Sequence, residues 1–98
     1  MIYHIVNKSH WQQALHQGYY EAASLATEGF IHLSNEQQVT GVLERYYLGQ
    51  KNLLLLQIDE SKLNAVLLHE HAASVNEIFP HLYGRLNLDA VVNVTEIS

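Results

Sequence analysis

Three histidines sit where a chain that only had to fold would place aliphatic residues. His4 lies inside IYHIV, His32 inside FIHLS, and His81 follows Phe79 and Pro80 in FPHLYG. An imidazole can donate, accept, carry a proton or bind a metal near neutral pH, so each position offers chemistry that its apolar neighbours lack. One reading makes each a core histidine bonded to a backbone carbonyl. The other brings the three rings to one cleft, bounded by Ser34 and Tyr83. Burying several polar rings costs free energy unless every nitrogen is paired, and for three together that favours the cleft.

The same residues also allow a metal centre of His4, His32 and His81, with His69 and His71 as further imidazoles. On a strand His69 and His71 point to one face and Glu70 to the other, unlike the helical H-E-x-x-H arrangement. Glu70 is therefore read as a carboxylate beside histidines, able to orient one of them. Asp59-Glu60-Ser61 reads as a solvated turn or helix cap. A serine triad lacks its G-x-S-x-G elbow.

The elements that must position these residues follow from pattern. Residues 2–6 are β-branched and aromatic, which predicts a strand. Ser9 then offers an N-cap to a short helix carrying Trp11, Ala14 and Leu15, which Gly18 stops. Residues 19–29 fit no period and read as a loop with at most a helical turn. Residues 30–33 form a second strand, and Ser34 with Gln37 makes a capping box for a second helix. Its apolar positions are Val39, Val42, Leu43, Tyr46 and Tyr47, and Gly49 ends it. The apolar run 53–58 predicts a central strand. Residues 65–68 and 90–94 predict two more, with FPHLYG between them as a turn. The expected fold is α+β, with two main helices on a small mixed or antiparallel split sheet.

Composition narrows the function classes. Ninety-eight residues, 48% hydrophobic and 15% charged, make one folded domain spanning 1–98. A net charge of -5 excludes an extended electrostatic grip on nucleic acid, and the absence of cysteine excludes disulfides and thiolate chemistry. The N-terminus lacks a signal-peptide pattern, and no apolar run approaches the roughly 20 residues of a membrane span. A cytosolic protein is expected.

The motifs IYHI, SL-x-x-EGFIHLS at 24–34, Gln37 and FPHLYG at 79–84 together resemble the family known as domain of unknown function 952. That resemblance implies a fold similar to the ADP-ribosyltransferases, a split sheet with a nicotinamide-dinucleotide cleft. It implies that His4 bonds a ribose hydroxyl and that His32 lies where a nicotinamide-stacking tyrosine stands in relatives. The glutamate of protein-modifying transferases has no clear counterpart, although Glu70, His81 or Tyr83 falls in that region. NAD or ADP-ribose is then the expected ligand, with Arg45 or Arg85 available to a diphosphate.

The expected site is therefore His4, His32 and Glu70 as catalytic groups, with Ser34, Arg45, His81 and Tyr83 as binding groups. Catalysis would be cleavage at the anomeric carbon of the nicotinamide ribose, with Glu70 stabilising positive charge. The rival expectations are a non-enzymatic metabolite-sensing or interaction module and a histidine metal protein.

Overall fold

A computed structural model describes residues 1–98. Strand β1 (Ile2–Asn7) runs straight into helix α1 (Lys8–Gln17) because Asn7 both ends the strand and caps the helix. Its side chain accepts from the His10 N–H at 2.8 Å and from the Ser9 hydroxyl at 2.9 Å. Ser9 is thus a donor inside the first turn and not the cap that the sequence suggested. Gly18 closes α1 at φ 92°, returning its N–H to the Ala14 carbonyl.

The segment expected to be a loop holds a two-residue strand β2 (Tyr19–Tyr20) and a short helix α2 (Ala23–Thr27). Strand β3 (Ile31–His32) follows, and then helix α3 (Val39–Tyr46), entered through a 3-10 turn at Glu36–Gln38. The capping box is present one residue later than predicted, between Asn35 and Gln38. The shift has a cause: the Ser34 N–H and carbonyl both pair with Tyr3, so the chain first turns at Asn35. Gln38 is buried and also donates to the Ile78 carbonyl at 2.7 Å, which pins the start of α3 to the sheet.

The remaining strands are β4 (Leu53–Ile58), β5 (Val66–Ala72), β6 (Glu77–Tyr83), β7 (Leu86–Asn87) and β8 (Val91–Glu96). Residues 79–83 of FPHLYG are therefore strand where a turn was expected, and β5 continues through His69, Glu70 and His71. Of the mixed and antiparallel sheets that the sequence left open, the antiparallel form is found. The pairings are β1-β4-β8, β2-β7 and β3-β6-β5, with β4 central as predicted.

Pro80 explains the split between the first and last of these sheets. It accepts a hydrogen bond from the Leu33 N–H at 3.0 Å but has no N–H to return, so the β3–β6 ladder ends beyond His32 and His81. The chain then peels away to its single bridge with β1 at Tyr3 and Ser34. Ile31, Leu33 and Leu82 point from one face of this junction into the core, with Ile2, Val6, Leu54, Leu56, Ile58, Trp11 and Ala14. Phe30, His32 and Ser34 alternate onto the other face. No helix is long and apolar enough to cross a membrane.

Candidate functional site

A cleft of about 720 Å³ opens where the sheets part, and His4, His32, Ser34 and His81 all line it. All three histidines of the expected site lie along this cleft. Their roles within it differ.

His4 belongs to the floor. Its Nδ1 donates to the His32 carbonyl at 2.8 Å, and its Nε2 lies 2.8 Å from the Tyr20 hydroxyl. The carbonyl accepts only, so the proton sits on Nδ1 and Nε2 accepts from Tyr20. Register explains the unusual carbonyl bond. Leu33 bonds back to Pro80, so the neighbouring pair His32 and His81 is the non-hydrogen-bonded one and the His32 carbonyl points away from β6. The His4 ring supplies the donor that a continued β1–β3 ladder would have given. Burial lowers the His4 pKa from 6.5 to about 4, only partly offset by the bond to His32, so the ring is neutral. Burial also pushes the pKa of the Tyr20 and Tyr47 hydroxyls above the ordinary phenol range, so both remain protonated. Both nitrogens of His4 are thus committed within the protein.

His32 and His81 face one another across the β3–β6 pair, with ring centroids 5.3 Å apart. The His32 ring is about half exposed and its Nε2 meets a Glu28 carboxylate oxygen at 2.8 Å. His81 is buried, and its ring stacks on Phe30 with centroids 4.0 Å apart and planes 22° from parallel. Its Nδ1 donates to Glu70 Oε1 at 2.9 Å, and the Tyr83 hydroxyl donates to the same oxygen at 2.5 Å. These two bonds, Tyr83 first, hold the Glu70 carboxyl below the ordinary carboxylate range. Glu70 and Tyr83 do not line the cleft themselves and reach it only through His81.

Arg45 is not brought to the cleft. Its guanidinium lies 3.9 Å from a Glu77 carboxylate oxygen, while Arg85 pairs with Glu21 at 3.5 Å and covers the Tyr19 ring at 3.9 Å. No lysine, arginine, aspartate or glutamate lines the cleft. Nor is any group of three or more histidine, aspartate or glutamate side chains arranged to hold a metal ion.

The walls of the cleft are aromatic: Tyr20, Phe30, Tyr46, Tyr47 and Phe79. A signal for Phe30 was present, since Phe30, His32 and Ser34 alternate with Ile31 and Leu33 at the strand period. Tyr20 carried none, because its place depends on α1 turning back at Gly18.

Over residues 5–94 the chain matches the family described as protein of unknown function (DUF952). The chain belongs to this family. This DUF952 protein is similar to CC0527 from Caulobacter crescentus, whose crystal structure superposes with a TM-score of 0.90 at 33% identity over 99% of this chain and 85% of that one. The solution NMR structure of CC0527 gives a TM-score of 0.85 at 33% identity, over 99% and 84% of the two chains. The α+β architecture of this chain is thus shared with CC0527. No curated protein matches the sequence.

Proposed function

We propose that the cleft binds a flat heteroaromatic ring, neutral or cationic, attached to a sugar, with the nicotinamide end of a nicotinamide nucleoside as the model. One observation carries this reading: the cleft has aromatic walls and imidazole polar groups but no lysine or arginine. Its volume, about 720 Å³, is within the range of small-molecule sites. A ring can stack on Phe30 or Phe79, and His32 and His81 can hydrogen-bond its substituents. Glu28 and Glu70, each bonded to a histidine of the cleft, favour a ligand that is positive over one that is negative.

This narrows the NAD or ADP-ribose expectation. A diphosphate carries two negative charges and gains most from bidentate arginine contacts, yet Arg45 and Arg85 are paired with Glu77 and Glu21 outside the cleft. The nucleoside half fits the lining; the diphosphate half has no partner in it.

The test is an amide NMR titration of the protein with nicotinamide riboside, NAD and ADP-ribose in turn. Shifts at His32, Ser34, Phe79 and His81 with the riboside, weaker with NAD and absent with ADP-ribose, are expected. Stronger binding of ADP-ribose than of the riboside would overturn the reading. A second reading is a metabolite sensor that binds without turnover. The absence of a carboxylate from the cleft lining favours it.

A further inference from the structure

Strand β5 pairs with β6 on one side and with nothing on the other, because its sheet runs β3-β6-β5 and stops. Pro80 tells which of its backbone groups are left over. Leu33 and Pro80 form the hydrogen-bonded kind of pair, so Phe79, His81 and Tyr83 turn their N–H and carbonyl groups towards β5, where they meet Glu70, Leu68 and Val66. Leu67, His69 and His71 therefore turn theirs outward, and these take no backbone hydrogen bond within the chain.

Proteins blunt such edges with lysine, proline, a bulge or a covering element. The edge strand β8 is guarded in this way, by a register shift at Gln57 and Ile58 of its neighbour and by an ion pair from Glu96 to Lys8 at 3.0 Å. Strand β5 has no lysine, arginine or proline, keeps unbroken register with β6, and leaves Val66 60% and Leu68 46% exposed. Its one carboxylate, Glu70, is already bonded within the sheet by Tyr83 and His81.

We propose that this edge is an interface between two copies of the chain, in which β5 pairs antiparallel with β5 of the second copy about a two-fold axis at His69. The inference does not depend on what the cleft binds. Outward residues must meet outward residues, which allows an axis at Leu68, His69 or Glu70. An axis at Glu70 sets two like charges directly opposite, which destabilises a strand pair. An axis at Leu68 leaves the end of β5 unpaired. The axis at His69 overlaps the whole strand: Leu67 faces His71 of the partner subunit, Leu68 faces Glu70 of the partner subunit, and Val66 faces Ala72 of the partner subunit. Every outward N–H and carbonyl is then paired, no like charges meet, and the two three-stranded sheets become one of six. A neutral strand that sets a small residue against Val66 and a large one against Ala72 is what β5 itself supplies, and the edge offers no cation to draw an acidic strand instead. Leu68 of the partner subunit also comes to lie over Glu70, the carboxylate that holds His81 and is 38% exposed in the single chain.

The test uses the absence of cysteine from the chain. Hydrogen-bonded partners across antiparallel strands have Cα atoms about 5.5 Å apart, within the reach of a disulfide. His69→Cys should therefore give a disulfide-linked dimer on mild oxidation. Leu67→Cys, whose counterpart lies four residues further along, should not. Sedimentation of the wild type over a range of concentrations should show a monomer–dimer equilibrium. Leu68→Glu sets like charges opposite one another on both sides of the axis and should raise the dimer Kd by about 5-fold or more, whereas Leu68→Arg, facing the same carboxylate, should not. Leu68 is exposed, so both variants keep the fold, and their amide NMR spectra check this. A wild type that stays monomeric overturns the proposal and leaves the edge to a strand of another protein. Cross-linking through Leu67→Cys and not His69→Cys, or a dimer equally stable with Leu68→Glu, overturns it too.

Discussion

The His4 ring donates from Nδ1 to the backbone carbonyl of His32 across 2.8 Å, joining two strands whose backbones have already parted. A side chain thus does the work of a ladder hydrogen bond at the point where the sheet splits. The histidine on the floor of the cleft is a structural strut, whereas the two on its wall each bond a carboxylate, His32 to Glu28 and His81 to Glu70.

Replacing His4 should therefore cost stability, contrary to the expectation for a histidine serving only a ligand. His4→Ala leaves the His32 carbonyl and the Tyr20 hydroxyl without partners, each worth about 1–3 kcal/mol when buried. His32→Ala removes a half-exposed ring and a surface ion pair, for which about 0–1 kcal/mol is the usual scale. Urea unfolding of both variants separates these cases. Similar small losses would mean that His4 is not a strut.

His4 also makes stability depend on pH in a defined window. In the unfolded chain the ring protonates near 6.5; in the folded chain burial holds it neutral down to about 4. Between these values the unfolded state binds more protons, so stability falls as pH drops from about 6.5 towards 4, by about 3 kcal/mol at the lower end. The comparison to make is wild type against His4→Gln, by urea unfolding at pH 7, 6, 5 and 4. The gap between the two should narrow steadily with acid. A constant gap would show that His4 does not titrate in this way.

The elements that positioned the site were legible where a local pattern carried them. The buried run in β4, the β-branched and aromatic residues of β1 and the stop at Gly18 each follow from residues within a few positions. FPHLYG misled because Pro80 and Gly84 carry turn chemistry, while Phe79 to Tyr83 are held as strand by β5 and only Gly84 lies beyond the pairing. The capping box was legible in type but not in place, since the competing bond from Ser34 to Tyr3 spans 31 residues of sequence. The Glu70–His81 bond was foreseeable only as a possibility, because the β5–β6 register that sets it is a tertiary fact. The ion pairs of Arg45 with Glu77 and of Arg85 with Glu21 were not legible for the same reason, since each joins residues far apart in sequence.

Gly84 is needed for space and not for its backbone freedom. A Cβ at this position would stand 2.8 Å from the Ala65 Cβ, closer than side chains pack. Gly84→Ala should destabilise by about 1–3 kcal/mol, the usual scale of overpacking. Ala65→Gly in the same chain removes the clashing methyl, so the double variant should recover most of what Gly84→Ala alone loses once the separate cost of Ala65→Gly is subtracted. Thermal unfolding of the four proteins in the cycle measures the coupling, and simple additivity would refute the contact.

Phe30 and the two arginines give opposite expectations for ligand binding. Phe30 covers the His81 ring and lines the cleft, so a heteroaromatic ligand stacked beside them loses an aromatic face in Phe30→Ala. Such a contact is worth about 0.5–1.5 kcal/mol, or roughly 2- to 12-fold in Kd. Arg45→Ala and Arg85→Ala remove cations already paired elsewhere and should leave the Kd for nicotinamide riboside unchanged. Titration of the three variants against the wild type by NMR decides between a ring site and a phosphate site. If the arginine variants weaken binding and Phe30→Ala does not, the ligand is held by its charge outside the cleft, and the aromatic walls are no more than the lining of a core that stops short of the surface.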